Sequence, residues 1–313
     1  MNTRIAIVGS GYMAEEYLKA SEALDNFDVV AIYSRNRKTS SNLAIAFDIP
    51  NVVEQLQDLS ELDLHFLIIC VPELETPKII EGAAPLNLPM LVEKPIGHTF
   101  EIAKSIESLA VEKGIPLFAA LNRRFYSSSI QVFEELENSQ LPRFIQVTDQ
   151  ENTIAALASG QPSEVVENWM FANSIHIIDF IARAGRGKPT VFNKRTIYLT
   201  ELSYIKKAEI SFSSGDTASY TCYWNAPAGW SVNISTAEKS WQLAPLENAR
   251  SRNLVDRQYL EFEVDPLDSF YKPGLVRLLR DVQKFSSGSS HALTPISEAN
   301  RTMELIEMIY SSD

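Results

Sequence analysis

The sequence predicts an α/β protein: an N-terminal doubly wound parallel sheet, then a C-terminal α+β domain with a largely antiparallel sheet. Three observations carry this. Strand-like and helix-like runs alternate up to Leu121, as βαβ units require. Residues 63–71 are nearly continuously apolar, which suits a strand covered on both faces. From Thr190 onward, short alternating runs broken by Gly-Asp and Pro-Ala-Gly turns replace that pattern.

Residues 4–9 read as a strand and 13–24 as a helix with apolar side chains at helical spacing. Residues 27–34 are the second strand, 41–49 a helix after a serine-rich start, and 63–71 the third strand. A helix over 76–86 tolerates Pro77 in its first turn. A short strand runs into the Pro-Gly-punctuated loop of 89–97. The helix over 99–114 has Thr99 to cap it and Gly114 to end it. Residues 115–125 supply the last parallel strand. The boundary falls at 121–126, dividing a dinucleotide-binding domain, 1–121, from a substrate-binding and oligomerisation domain, 122–313. In the latter, helices are expected at 127–138, 173–183, 274–287 and 296–312, with strands at 143–150, 190–199, 206–214, 217–225, 230–244 and 257–265.

Composition narrows the classes. The 313 residues are 45% hydrophobic and 22% charged, within the globular range. A net charge of −12 argues against a nucleic-acid partner, whose phosphates such a surface repels. No apolar run reaches the ~20 residues of a membrane span, and a signal peptide is not expected. Only Cys70 and Cys222 occur, neither at metal-ligand spacing, so neither a metal nor a disulfide is expected. Both points suit a cytoplasmic protein.

The run Gly9-Ser10-Gly11-Tyr12-Met13-Ala14 follows the first strand and opens the first helix. Small residues at 9, 11 and 14 let backbone N–H groups approach a pyrophosphate, which the positive end of the helix favours. A ligand-free tight turn, or a methyl-donor cofactor, is the alternative. After the second strand an NAD site places an acid on the ribose 2′-OH. Here stand Ser34, Arg35, Asn36, Arg37 and Lys38. A carboxylate would repel a 2′-phosphate, whereas hydroxyl and guanidinium groups bind it, so NADP(H) is expected over NAD(H). A solvated cationic turn is the alternative.

Glu93-Lys94-Pro95 after the fourth strand, with His176 and Asp179 on a later helix, resembles the glucose–fructose oxidoreductase / inositol dehydrogenase / rhizopine catabolism (Gfo/Idh/MocA) superfamily. The resemblance covers most of the chain. It implies hydride transfer between the cofactor and a hydroxyl or carbonyl of a sugar, sugar derivative or cyclitol; Arg123 and Arg124 would attract the diphosphate of a nucleotide sugar. Lys94 would stand near the nicotinamide and steady the developing alkoxide, with His176 as acid–base partner. Glu93 would position Lys94 or the ribose, and Pro95 would shape the backbone, with a cis peptide allowed. Val71, Pro72 and Asn122 would complete the cofactor's surroundings. Arg123, Arg124, Trp169 and Asp179 would face the substrate. Salt bridges at the domain junction are an equal use for the arginines, and His176 among Ile175, Ile177 and Ile178 also reads as a packed core residue.

Two departures stand out. Ala172 and Ser174 occupy the Asp and Gly positions of the family's D-x-G-x-H. Val71, Pro72, Glu73 and Thr76 replace its T-P-N and later His. A catalytically silent NAD(P)-binding sensor of the same fold is therefore the second reading. Trp224, Trp230 and Trp241 are expected in a sheet–sheet or subunit contact, the C-terminal sheet joining a homodimer or homotetramer.

Overall fold

A computed structural model describes residues 2–311. They divide into two compact units, Met1–Phe125 with Ser269–Asn300, and Tyr126–Asp268 with Arg301–Asp313.

The first unit is built on β1 (Thr3–Val8), β2 (Phe27–Tyr33), β3 (Asn51–Val53), β4 (Phe66–Ile69), β5 (Met90–Glu93) and β6 (Leu117–Ala120). All pair in parallel in the order β6-β5-β4-β1-β2-β3. Residues 5–8 and 66–69 are wholly shielded from water, which explains their unbroken apolar sequence. The crossovers carry α1 (Tyr12–Ser21), α2 (Arg37–Ala46), α3 (Thr76–Ala83) and α4 (Phe100–Lys113). Thr99 caps α4, its side chain accepting from the Ile102 N–H at 3.3 Å, and Gly114 ends it at φ +66°. The second helix begins four residues earlier than its apolar pattern suggests, because Asn36 caps it and takes Arg37 and Lys38 into the first turn. Asn122–Phe125 is a 3-10 turn rather than the end of a strand.

In the second unit come α5 (Ser127–Glu137), β7 (Phe144–Glu151), α6 (Thr153–Ala158), α7 (Ser163–Glu167) and α8 (Ile175–Ala184). Then follow β8 (Pro189–Tyr198), β9 (Tyr204–Phe212), β10 (Thr217–Trp224), β11 (Ser231–Ser235), β12 (Lys239–Leu243), β13 (Ala249–Asn253) and β14 (Leu260–Glu261). The sheet order is β14-β13-β12-β11-β7-β10-β9-β8, antiparallel except where β7 meets β10. Strand β13 was not expected, and the strand expected at 257–265 shrinks to β14. Trp224 and Trp241 are buried beneath helices rather than in a sheet–sheet contact. Trp224 donates from Nε1 to the Tyr310 hydroxyl (3.1 Å), and Trp241 to Glu135 of α5 (2.6 Å).

The chain does not divide once at 121–126. Helix α9 (Leu275–Ser286) and strand β15 (Thr294–Pro295) belong to the first unit, as do residues 122–125. Leu275, Val276, Leu278, Leu279 and Val282 form the buried stripe of α9, and Phe285 meets Phe66 and Phe118 edge-on at 5.7 and 5.1 Å. β15 pairs antiparallel with β6. The last helix, α10 (Ile296–Tyr310), divides between the units at Asn300, and its expected end at Ser312 lies outside the described residues.

Candidate active site

Because β5, β4, β1 and β2 run parallel and adjacent, their carboxyl ends bring four predicted segments to one edge of the sheet. These are Glu93-Lys94, Val71-Pro72, the glycine turn, and Ser34 to Lys38. The strand order reverses at β1, between β4 and β2, where open α/β sheets bind ligands.

Two glycines in the turn have different reasons. Gly9 sits at φ +129°, and a Cβ there would lie 2.2 Å from the Cys70 carbonyl oxygen, so packing against the neighbouring strand end demands it. Gly11 opens α1, and a Cβ there would meet nothing within 4 Å. Nothing in the chain itself calls for its bareness, which is what a cradle for a pyrophosphate at a helix N-terminus requires. Ala14 is fully buried, Tyr12 is exposed and Met13 half-buried. The residues present therefore fit a dinucleotide. Lys272, distant in sequence, brings its ammonium to 5.2 Å from the Tyr12 ring, a neighbour no local pattern announces.

Beyond β2 the hydroxyls of Ser10, Ser34 and Thr39 cluster, with Ser10 Oγ 2.7 Å from Ser34 Oγ and 2.5 Å from Thr39 Oγ1. Ser10 and Thr39 were not singled out from sequence; only the fold joins the glycine turn to the start of α2. Arg35 pairs with Glu75 at 2.7 Å, and Arg37 with Glu54, both on the exposed rim. Glu75 ends the 3-10 turn Glu73–Glu75 that follows Val71 and Pro72, so the third crossover supplies the counter-charge to Arg35.

Glu93 ends β5. Its Oε1 accepts from the Tyr17 hydroxyl at 2.6 Å and its Oε2 from the Lys94 N–H at 3.2 Å. Burial raises its carboxyl above the ordinary range, offset in part by Tyr17, Lys94 and Lys272. The same burial, with Glu93 beside it, holds Tyr17 protonated. Lys94 is half-buried and its peptide to Pro95 is cis. Tyr17 and Glu93 together fix the turn that presents Lys94. Asn122 is buried and donates to the Pro273 carbonyl at 3.1 Å, and Arg124 pairs with Glu298. Arg123 is half-buried on the same 3-10 turn.

Lys94 lies in the first unit and His176 in the second. His176 is the second residue of α8, 5% exposed, with its ring 6.3 Å from that of Trp230. Asp179 is buried and accepts from Thr302 Oγ1 at 2.8 Å. A π-helical turn, Met170–Ser174, leads into α8 and contains Ala172, which is buried. Trp169 precedes that turn and donates to Glu151 on β7 at 2.6 Å. Glu151 was missed in the sequence, since its partners lie 18 to 23 residues away.

Among the described residues no group of three or more His, Cys, Asp or Glu is placed to hold a metal ion, and no helix is long and apolar enough to cross a membrane.

Residues 3–121 match the model of an oxidoreductase family with an NAD-binding Rossmann fold, GFO_IDH_MocA. An uncharacterized oxidoreductase of Escherichia coli, YhhX, is 22% identical over 174 residues, 55% of this chain and 50% of that one. The matches reach between 35% and 50% of the length of the curated relatives, so the chain spans about half of them or less. Among solved structures, a dehydrogenase from Chromobacterium violaceum superposes with a TM-score of 0.84 at 19% identity, over 99% of this chain and 95% of that one. Levoglucosan dehydrogenase in complex with NADH gives 0.81 at 15% identity, over 99% and 96%. The WlbA dehydrogenase of Bordetella pertussis, in complex with NADH and UDP-GlcNAcA, gives 0.79 at 16%, over 99% and 94%.

Proposed function

We propose that this chain, whose residues 3–121 match the Gfo/Idh/MocA oxidoreductase model, transfers hydride between NADP(H) and a hydroxyl or carbonyl carbon of a sugar, sugar derivative or cyclitol. The observation that carries the reading is the shared sheet edge: glycine turn, hydroxyl–cation cluster and Lys94 end adjacent parallel strands. The bound nicotinamide supplies the hydride chemistry. Gly9, Gly11 and the N-terminus of α1 hold the pyrophosphate; Tyr12, Met13, Val71 and Pro72 flank it. Lys94, presented by Glu93, neutralises charge growing on the substrate oxygen. His176 exchanges a proton with that oxygen.

For the cofactor, Ser34, Arg35, Arg37, Lys38 and Thr39 favour a 2′-phosphate, and no acid ends β2. Levoglucosan dehydrogenase and WlbA carry NADH, while another structural neighbour is described as a putative NADPH-dependent oxidoreductase, so the preference is argued from this chain's own residues. A nucleotide sugar is within the proposed substrate class, as WlbA holds UDP-GlcNAcA. Arg124 pairs with Glu298, and it and Arg123 on the same 3-10 turn are the cations proposed to attract a diphosphate. A cytoplasmic location and a homo-oligomer joined through the second unit's sheet belong to the same proposal.

The test is Lys94→Ala. It should lower kcat by about 100-fold or more while NADPH affinity holds; unchanged turnover sinks the assignment. Buried Ala172, at a position the family gives to Asp, favours the sensor reading. Tight NADPH binding by a wild type that turns over no sugar or carbonyl substrate would establish it.

A further inference from the structure

Two carboxyl groups lie side by side on the buried face of β7. Asp149 and Glu151 stand two residues apart, so the strand turns both toward the helices, and they are 0% and 1% exposed. Among the described residues no cation pairs with either. Besides each other, they meet neutral donors. Asp149 Oδ2 accepts from the Tyr220 hydroxyl (2.6 Å), which meets the Tyr310 hydroxyl (2.9 Å). Glu151 Oε2 accepts from Trp169 Nε1 (2.6 Å) and Asn173 Nδ2 (2.9 Å), and Oε1 from Ser174 Oγ (3.0 Å).

The three donors to Glu151 bracket the π-helical turn Met170–Ser174. Such a turn is rare, occurs mostly as a single-turn bulge within an α-helix, and is frequent at functional sites. It carries one residue more per turn, so relaxing it to α would rotate the backbone on one side by about 100° relative to the other. The later residues of α8 cannot take up that rotation, because Ile177, Ile178 and Ile181 are fully enclosed. The change would concentrate at the start of the helix, where His176 sits. We propose that Glu151 is a positioning residue: its carboxyl clamps the π turn and so sets the place of His176. This rests on the reading of His176 as the proton-exchanging group.

The experiment compares Glu151→Gln and Glu151→Leu with the wild type. Glutamine can keep its oxygen toward Trp169 and Asn173 and turn its amide to donate to Ser174, whose hydroxyl can accept. Leucine satisfies none of the three. With NADPH and a carbonyl or sugar substrate, Glu151→Leu should lose about 100-fold in kcat, KM and NADPH affinity moving little. Glu151→Gln should stay within about threefold of wild type. The ring 15N–1H signal of His176, assigned by its loss in His176→Asn, should move in Glu151→Leu, while those of His65 and His291 hold. An unmoved His176 signal in folded Glu151→Leu, or a Glu151→Gln as impaired as the leucine variant, overturns the proposal. If Glu151→Leu does not fold, the double variant Asn173→Ala, Ser174→Ala removes two donors instead and must shift the same signal. Should the wild type turn over no substrate, the function proposed above fails, and the His176 signal still decides the role of Glu151.

Discussion

Arg35 is the residue on which the choice of cofactor turns, and its ion pair with Glu75 makes the test specific. The pair is exposed, so it costs little to open. A 2′-phosphate offers the guanidinium a stronger, doubly charged acceptor. Arg35→Ala should weaken NADPH binding about 10- to 100-fold, the worth of one or two charge-assisted hydrogen bonds, and leave NADH nearly unchanged. Glu75→Gln should tighten NADPH alone, since it removes a competing carboxylate. Titration of each variant with both cofactors, by fluorescence, checks the two together; equal losses for NADPH and NADH would remove Arg35 from the phosphate site. At this scale much was legible. The bareness of positions 9 and 11 and the missing acid after β2 are properties of the letters themselves. Ser10, Thr39 and Lys272 were not legible, because each joins its cluster only once strands or segments far apart in sequence are adjacent.

Among the elements, helix α9 shows how far local pattern carries. Its amphipathic stripe predicts a helix correctly, since i, i+3, i+4, i+7 spacing is a local property. Which core the stripe joins is not written in the spacing. The stripe and Phe285 complete the first unit, although the chain reaches α9 only after all strands of the second sheet. Leu279 is fully buried on that stripe, so Leu279→Ala should cost about 2–5 kcal/mol. The loss should appear in the unfolding of the dinucleotide-binding unit. Urea titrations followed by NADPH binding should shift to lower midpoints, while the tryptophans of the second unit report little change. A shift confined to the tryptophan signal would place α9 with the wrong unit. The π turn before α8 was equally hidden: residues 173–183 read as plain helix, and the clamp that distorts its entry comes from β7.

For the molecule as a whole, two buried acidic centres in the second unit pull stability in opposite directions with pH. Burial tends to raise the Asp216 carboxyl, but hydrogen bonds from Arg186 and from the backbone of Arg143 and Arg186 outweigh it and hold the group well below the usual range. A depressed native value means the unfolded chain binds the proton more readily, so this contribution is present near neutrality and lost as pH falls below about 4. Glu151 is the reverse case. Burial, and then Asp149 beside it, push its carboxyl up to about 8. Between the ordinary glutamate value near 4.3 and about 8, the native state keeps a proton that the unfolded chain releases. Stability therefore declines as pH rises through that window and levels off above it. The second unit should be most stable at about pH 5, on the acid side of neutrality, and a net charge of −12, which disfavours alkaline compaction, pulls the same way. Melting temperatures from pH 3 to 9, followed by tryptophan fluorescence, should trace that maximum. The double variant Asp149→Asn, Glu151→Gln, which removes both raised carboxyls, should flatten the alkaline limb and leave the acid limb intact. Asp216→Asn should do the opposite, lowering the plateau by the loss of the Arg186 pair. An alkaline limb that persists in that double variant would assign the slope to general charge repulsion, and the buried pair on β7 would then hold no proton that matters to folding.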